Sequence, residues 1–236
     1  MAKHKTHTDK HEMEGKETVE VFKDLDRGAL DTERFLEKNA KTLVTVFVAL
    51  LALVLGYFAY QQFYVGPRNE EATLSYLAAQ KNLADGKEEL ALGGKTAANP
   101  GYLGTYNDFS GTKVGKLSAY NAGLLKFKEG KYQEAYDLLD KFSSDNKILT
   151  ALKFGAMADC QLNVNKDEDA LSLLDKASTA SDDPYTSYYF TKKAGMVSLA
   201  LKKNAEAKKY FSAIDEEYQD YDNGMSDAYI EMVKYY

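Results

Sequence analysis

Ala135-Tyr-Asp-Leu-Leu-Asp-Lys141 returns 35 residues later as Ala170-Leu-Ser-Leu-Leu-Asp-Lys176, and more loosely after a further 37 as Ala207-Lys-Lys-Tyr-Phe-Ser-Ala213. Other positions keep step. A small residue sits twelve before each leading alanine: Gly123, Ala158 and Gly195. A bulky apolar one follows four after it: Leu139, Leu174 and Phe211. Seven after it come Phe142, Ala177 and Ile214. Small residues on a first helix let a second approach closely, and the bulky ones fill the space between successive pairs. One pair cannot bury its apolar face alone, so the stack is the stable unit. The reading is all-α, with residues 66–236 as an α-solenoid.

A period near 34 with two helices per unit is the tetratricopeptide pattern. The predicted helix ends agree with it. Asp183-Pro184 provides an N-cap followed by proline at the first helical position. Gly130 and Asn165 fall at the tight turns within pairs, and Ser226–Tyr236 reads as a capping helix. Upstream, Asn69–Leu83 is helical with Leu74, Leu77, Ala78 and Leu83 on one face. Asp85-Gly86 ends it, a loop spans Leu92–Pro100, and a short helix restarts through Asn107. This is read as a divergent first repeat.

The second decisive feature is the uncharged stretch from Thr42 to Pro67. Leu43–Tyr60 (LVTVFVALLALVLGYFAY) is almost purely apolar. As a helix, Thr42–Tyr60 spans roughly 28 Å, close to the ~30 Å hydrocarbon core. Eleven Leu, Val and Phe residues, at roughly −0.3 to −0.6 kcal/mol each near the helix centre, favour insertion. A buried core helix of a soluble domain seldom runs so long without a polar stripe. The expectation is an uncleaved transmembrane signal anchor over residues 42–65, because the stretch lies deep in the chain and no small-x-small cleavage site follows it. Lys23, Arg27, Arg34, Lys38 and Lys41 precede it, whereas only Arg68 and Lys81 follow closely. The positive-inside rule then places the N-terminus in the cytosol and residues 66–236 across the membrane. Tyr57, Phe58, Tyr60, Phe63 and Tyr64 gather at the outer end, and Gly66-Pro67 is expected to break the helix.

Residues 1–41 carry nine Lys/Arg and ten Asp/Glu with few large apolar residues, so the tail is expected to be largely disordered until near Leu30. A short interfacial helix over Asp31–Asn39 would lead into the membrane. Residues 66–236 hold 21 Lys/Arg against 26 Asp/Glu. An acidic surface argues against nucleic acid as a partner. Cys160, the single cysteine, forms no intramolecular disulfide and sits where a small buried apolar residue is expected.

Chemistry is sparse. All three histidines, His4, His7 and His11, are in the tail. They would share one face of a helix, where metal binding competes with a plain solvated tail. Gly111-Thr-Lys-Val-Gly-Lys-Leu117 departs from a phosphate loop in its spacing and in Leu117 after the lysine. Asp220-Tyr-Asp-Asn-Gly-Met places Gln219 and Tyr221 at the first two calcium-ligand positions, so an acidic inter-repeat loop is the better reading. No enzyme, metal or cofactor is expected. What remains is a binding groove on the first helix of each pair, with Tyr120, Phe127, Asp159, Tyr189, Lys192 and Met196 as candidate lining residues beside Leu117, Leu124, Leu152, Leu162 and Leu199. Tyr, Met and Leu suit extended or partly folded polypeptide. The competing reading is that several of them pack inward.

Several segments occur in a telling order. Glu33-Arg-Phe-Leu-Glu-Lys-Asn39 leads into the anchor, Gln61-Gln-Phe63 leaves it, Leu74-Ser-Tyr-Leu-Ala-Ala-Gln-Lys-Asn82 follows, and Gly111-Thr-Lys-Val-Gly-Lys-Leu-Ser-Ala-Tyr-Asn-Ala-Gly123 opens the first regular repeat. Over about residues 30–236 this arrangement resembles the YfgM family, the ancillary subunit of the bacterial SecYEG translocon. The resemblance implies a single-pass inner-membrane protein with a periplasmic repeat domain. Such a protein sits beside the translocon with a PpiD-like membrane chaperone and helps exported polypeptides on to periplasmic chaperones. Two other classes compete. A receptor clamping chaperone C-termini needs Lys and Asn where Tyr120 and Leu124 stand. A membrane-anchored scaffold of another cell-envelope complex would instead hold one stoichiometric partner.

Overall fold

The computed structural model describes the backbone of residues 8–96 and 99–235, with side chains described from residue 33 onward, Arg34 excepted. It is helical nearly throughout, and among the described residues the β-type pairing is one isolated bridge, Thr96–Asn99. The chain divides between Tyr64 and Val65 into two compact units.

In the first unit α1 runs from Thr8 to Tyr60. The tail expected to be largely disordered is therefore helical from Thr8 onward. Its composition explains the difference: Glu and Lys are good helix formers, and no proline precedes Pro67. The metal-face reading of His4, His7 and His11 lies outside the described side chains. From Leu43 to Tyr60 every side chain is exposed, and the helix is long and apolar enough to cross a membrane. Among the described residues their contacts are with neighbours on the same helical run, such as Tyr57 with Phe58 and Tyr60 with Tyr64, and apolar side chains left exposed over that length are what a lipid-facing helix presents. Within it Thr42, Thr45, Ala49, Ala52, Gly56 and Ala59 fall on one face at alternating three- and four-residue steps.

Gly66-Pro67 does not break the helix. Gln61–Val65 forms a π-helical turn, and α2 (Gly66–Ala84) follows at once with Pro67 in its first turn. The reason is local: a proline ring crowds the carbonyl four residues back, and a wider turn relieves that contact.

The second unit builds from α2, α3 (Glu88–Gly93), α4 (Gly101–Phe109), α5 (Lys113–Lys128), α6 (Tyr132–Lys141), α7 (Lys147–Asn163), α8 (Asp167–Thr179), α9 (Pro184–Ala200), α10 (Asn204–Glu217), α11 (Gln219–Asp222) and α12 (Asp227–Val233). Residues of the expected Leu92–Pro100 loop enter α3, which ends at Gly93 with Gly94 turning back at φ 59°. Helices α2, α3 and α4 pack together and against α5. Tyr102 is buried there beside Tyr76, and burial pushes its phenol up to about 12. From α5 to α10 each helix packs on the one before and the one after, α5, α7 and α9 also touch in succession, and α11 and α12 both pack on α10.

The three pairs share one turn. After α5, α7 and α9 the chain reverses through Gly130, Asn165 and Lys202, at φ 74°, 57° and 57°. Each turn closes with the same two backbone bonds, for example Gly130 N–H to Phe127 O (2.9 Å) and Lys131 N–H to Lys126 O (3.0 Å). This Schellman closure satisfies carbonyls that the helix end leaves free and requires a left-handed residue. Lys202 occupies that position despite being neither Gly nor Asn.

Within each pair the small-to-large scheme holds. Ala135, Ala170 and Ala207 are fully buried, as are Leu139, Leu174 and Phe211. A Cβ on Gly123 would lie 2.8 Å from Leu139 Cγ, and one on Gly195 would lie 2.9 Å from Phe211 Cε2. Between pairs the fit is tighter, because a Cβ on Gly155 would sit 2.1 Å from Phe190 Cε1. Polar cross-links join residues about one repeat apart. Lys193 pairs with Asp159 at 2.6 Å, the Tyr210 hydroxyl donates to Asp175 at 3.0 Å, and Lys147 and Lys203 reach Asp182 and Glu168.

The C-terminal end is closed by a buried carboxylate. Asp222 Oδ1 accepts from Tyr188 Oη (2.7 Å), Lys192 Nζ (3.1 Å) and Ser226 Oγ (2.6 Å), while Oδ2 accepts from the Ser226 N–H (2.6 Å). Burial alone would raise this carboxyl, but the bonds from Ser226, Tyr188 and Lys192 outweigh it and hold Asp222 at about 2.

Three consequences are measurable by denaturation of the chain. Gly155→Ala forces a methyl into the Phe190 ring and lowers stability by about 1–3 kcal/mol, and Ala170→Leu does likewise by overpacking. An unchanged melting point for either would show that the helices are not in close contact there. Asp222 has a folded-state value below its ordinary 3.8, so its stabilisation is present above that value and fades as pH falls toward 2, amounting to about 2 kcal/mol at neutral pH. Asp222→Asn therefore flattens the acid limb of the stability–pH curve, and an unaltered limb would refute the assignment.

Candidate functional site

The face formed by α5, α7 and α9 is the one on which the sequence placed a binding groove. Its residues separate into three groups. Tyr189 and Met196 on α9 are 49% and 46% exposed, and Leu124 and Leu152 stand at equivalent or neighbouring positions of α5 and α7, each 39% exposed. These are open to a partner. Tyr120 and Phe127 are half-buried and packed against the core: Tyr120 lies 5.0 Å from the Phe142 ring and Phe127 lies 5.3 Å from Tyr132. Burial raises the Tyr120 phenol above its ordinary range. Both therefore contribute more packing than binding surface.

Asp159 and Lys192 form the third group, engaged within the fold. Asp159 holds Lys193, and Lys192 donates to both Tyr188 Oη and Asp222. A paired charge gains little from a new partner unless its first partner is displaced.

The structure brings Leu152, Tyr189 and Tyr185 together around an apolar cavity of about 240 Å³ floored by Phe190 and edged by Thr186. Tyr189 meets Phe190 edge to face at 5.0 Å, which fixes the cavity wall. The geometry follows from the sequence below it. Asp183 caps α9 by accepting from the Thr186 N–H (2.8 Å) and hydroxyl (2.6 Å), and these bonds lower its carboxyl. The cap starts α9 where Tyr185 and Tyr189 rise on one face, and Gly155 leaves room for Phe190 beneath them. Tyr185, 58% exposed, is absent from the sequence-derived set. Its spacing of four from Tyr189 was the available signal, since residues i and i+4 share a helix face.

Other motifs resolve as architecture. Thr112 caps α5 by accepting from the Gly115 N–H (2.9 Å), and a Cβ on Gly115 would collide with the Phe109 carbonyl. Gly111–Leu117 thus shapes the tight passage from α4 to α5. Cys160 is buried, and burial followed by the nearby Asp159 charge pushes its thiol up to about 11, keeping it protonated and unreactive. Lys153, lowered by burial against the opposing pull of Asp140, donates to the Asp140 and Phe142 carbonyls and so closes the end of α6. Comparison with protein-family models, with curated proteins and with solved structures found no match.

The division of roles has a direct test. Tyr120→Ala removes a half-buried ring and costs about 2–3 kcal/mol, whereas Tyr189→Ala stays within about 1 kcal/mol. Urea denaturation of both variants decides it, and equal losses would overturn the separation.

Proposed function

We propose that this chain is a single-pass membrane protein whose C-terminal unit is a tetratricopeptide-like solenoid that binds extended polypeptide on the α5–α7–α9 face. The observation that carries the reading is the set of exposed apolar side chains there, Leu124, Leu152, Tyr185, Tyr189 and Met196, beside Asp159 and Lys192, which are already paired within the fold. Large apolar side chains on a surface that could bury them in its own stack mark an interaction site. The solenoid reading is supported by the recurring pair length, the repeated turn and the polar links about one repeat apart.

The partner follows from the resemblance to the YfgM family. We assign the chain the role of an ancillary subunit of a SecYEG-type translocon, working with a PpiD-like membrane chaperone on exported polypeptides. In that role the N-terminus is cytosolic and the solenoid periplasmic at the bacterial inner membrane, the orientation favoured by the lysines and arginines preceding Thr42.

A mild-detergent pull-down of the full chain, tagged at the C-terminus and read by mass spectrometry, tests this. Translocon subunits at near-stoichiometric levels are the expected outcome. Tyr189→Ala combined with Leu152→Ala reduces recovery of polypeptide clients, with little change between 0.05 and 0.5 M salt because the contact is apolar. Another envelope assembly in place of the translocon would overturn the assignment and leave an anchored scaffold.

A further inference from the structure

A second cavity, of about 450 Å³, lies where the N-terminal end of α5 faces the segment joining α6 to α7. It is separate from the Tyr189 cavity and shares none of its lining residues. Its size falls within the range of small-ligand sites, roughly 300–1,000 Å³. Leu117, Phe142 and Leu149 line it with apolar surface, and Lys113, Lys116 and Asp145 line it with charge.

The charges do not cancel. Lys113 Nζ pairs with Asp145 Oδ2 at 2.8 Å. Lys116 is half-buried and its ammonium makes no hydrogen bond or ion pair among the described residues, although its charge helps lower the Asp145 carboxyl. One positive charge is left over on the wall of a cavity in an otherwise acidic unit. Two helices add to it: Lys113 is the first residue of α5, and Asn146, also lining the cavity, is the N-cap of α7. Both helices turn the positive end of their dipole toward this space. Phe142, only 3% exposed and backed by Tyr120, makes the floor rigid.

We propose that this cavity binds an amphipathic monocarboxylate: one negative charge on an aliphatic or aromatic body. The carboxylate meets Lys116 near the N-terminal end of α5, and the body lies on Leu117, Phe142 and Leu149. A phosphate, carrying nearly two charges, exceeds the single uncompensated lysine. The same chemistry is offered by a free carboxylic acid and by the terminal residue of a polypeptide.

The test uses the full chain in nanodiscs, with empty nanodiscs as blank, and ligand-observed ¹⁹F NMR. The probes are N-acetyl-4-fluorophenylalanine, its uncharged amide, and 8-fluorooctanoate. Specific broadening by the protein is expected for at least one acid and not for the amide. Lys116→Gln raises the dissociation constant about tenfold, while Asp145→Asn lowers it about threefold by leaving Lys113 unpaired. Both positions are at the surface, and the melting point of each variant confirms that it folds. Binding of the N-acetyl amino acid alone identifies a polypeptide terminus as the source, and binding of the octanoate alone identifies a free acid. Equal binding of acid and amide, no binding of either acid, or an affinity indifferent to Lys116→Gln overturns the proposal.

Discussion

Close approach of paired helices is the constraint from which the second unit follows. At Gly123, Gly155 and Gly195 the facing side chain occupies the space where a Cβ would stand. Those contacts set the distance between helices, and the distance decides which residues are buried. Leu139, Leu174 and Phe211 are fully enclosed because a small residue lies opposite, and interiors packed to this density tolerate neither an added methyl nor a missing one. The α5–α7–α9 face inherits the same constraint. Phe190 floors the Tyr189 cavity because Gly155 admits it, so the surface offered to a partner is set by a glycine one layer below.

Much of this was legible in the sequence because period and residue size carry it. The positions twelve before and four after Ala135, Ala170 and Ala207 are buried as expected, the Asp183 cap forms, and Gly130 and Asn165 turn left-handed. What escaped had a different physical basis. Lys202 takes the same left-handed turn with no residue preference to announce it, since the repeated Schellman bonds impose the conformation. The Gly66-Pro67 pair looked like a stop, but a π-helical turn absorbs the proline. Charge in the tail was read as disorder, whereas its many Glu and Lys residues and the lack of proline allow the backbone to stay helical from Thr8.

The candidate site was harder to read than the fold. Helical position shows which residues share a face, but not which of them are already engaged. Tyr120 and Phe127 share the face with Tyr189, yet aromatic neighbours at Phe142 and Tyr132 draw them inward. Lys192 and Asp159 looked like groove charges. Their partners, Asp222 and Lys193, lie 30 and 34 residues away, a distance at which only the folded stack reveals a pairing.

That consumption of charge gives the two cavities opposite characters. On the α5–α7–α9 face the polar side chains close internal links, so what is left for a partner is apolar area, which is weakly directional and tolerant of sequence. Such a surface suits contact with many chains, none of them held through a unique pattern of hydrogen bonds. At the α5 end a lysine stands without an ion pair beside an apolar floor, and a charge in that setting discriminates by sign. A succession of packed helix pairs thus acquires two unlike surfaces simply through where its intramolecular ion pairs fall.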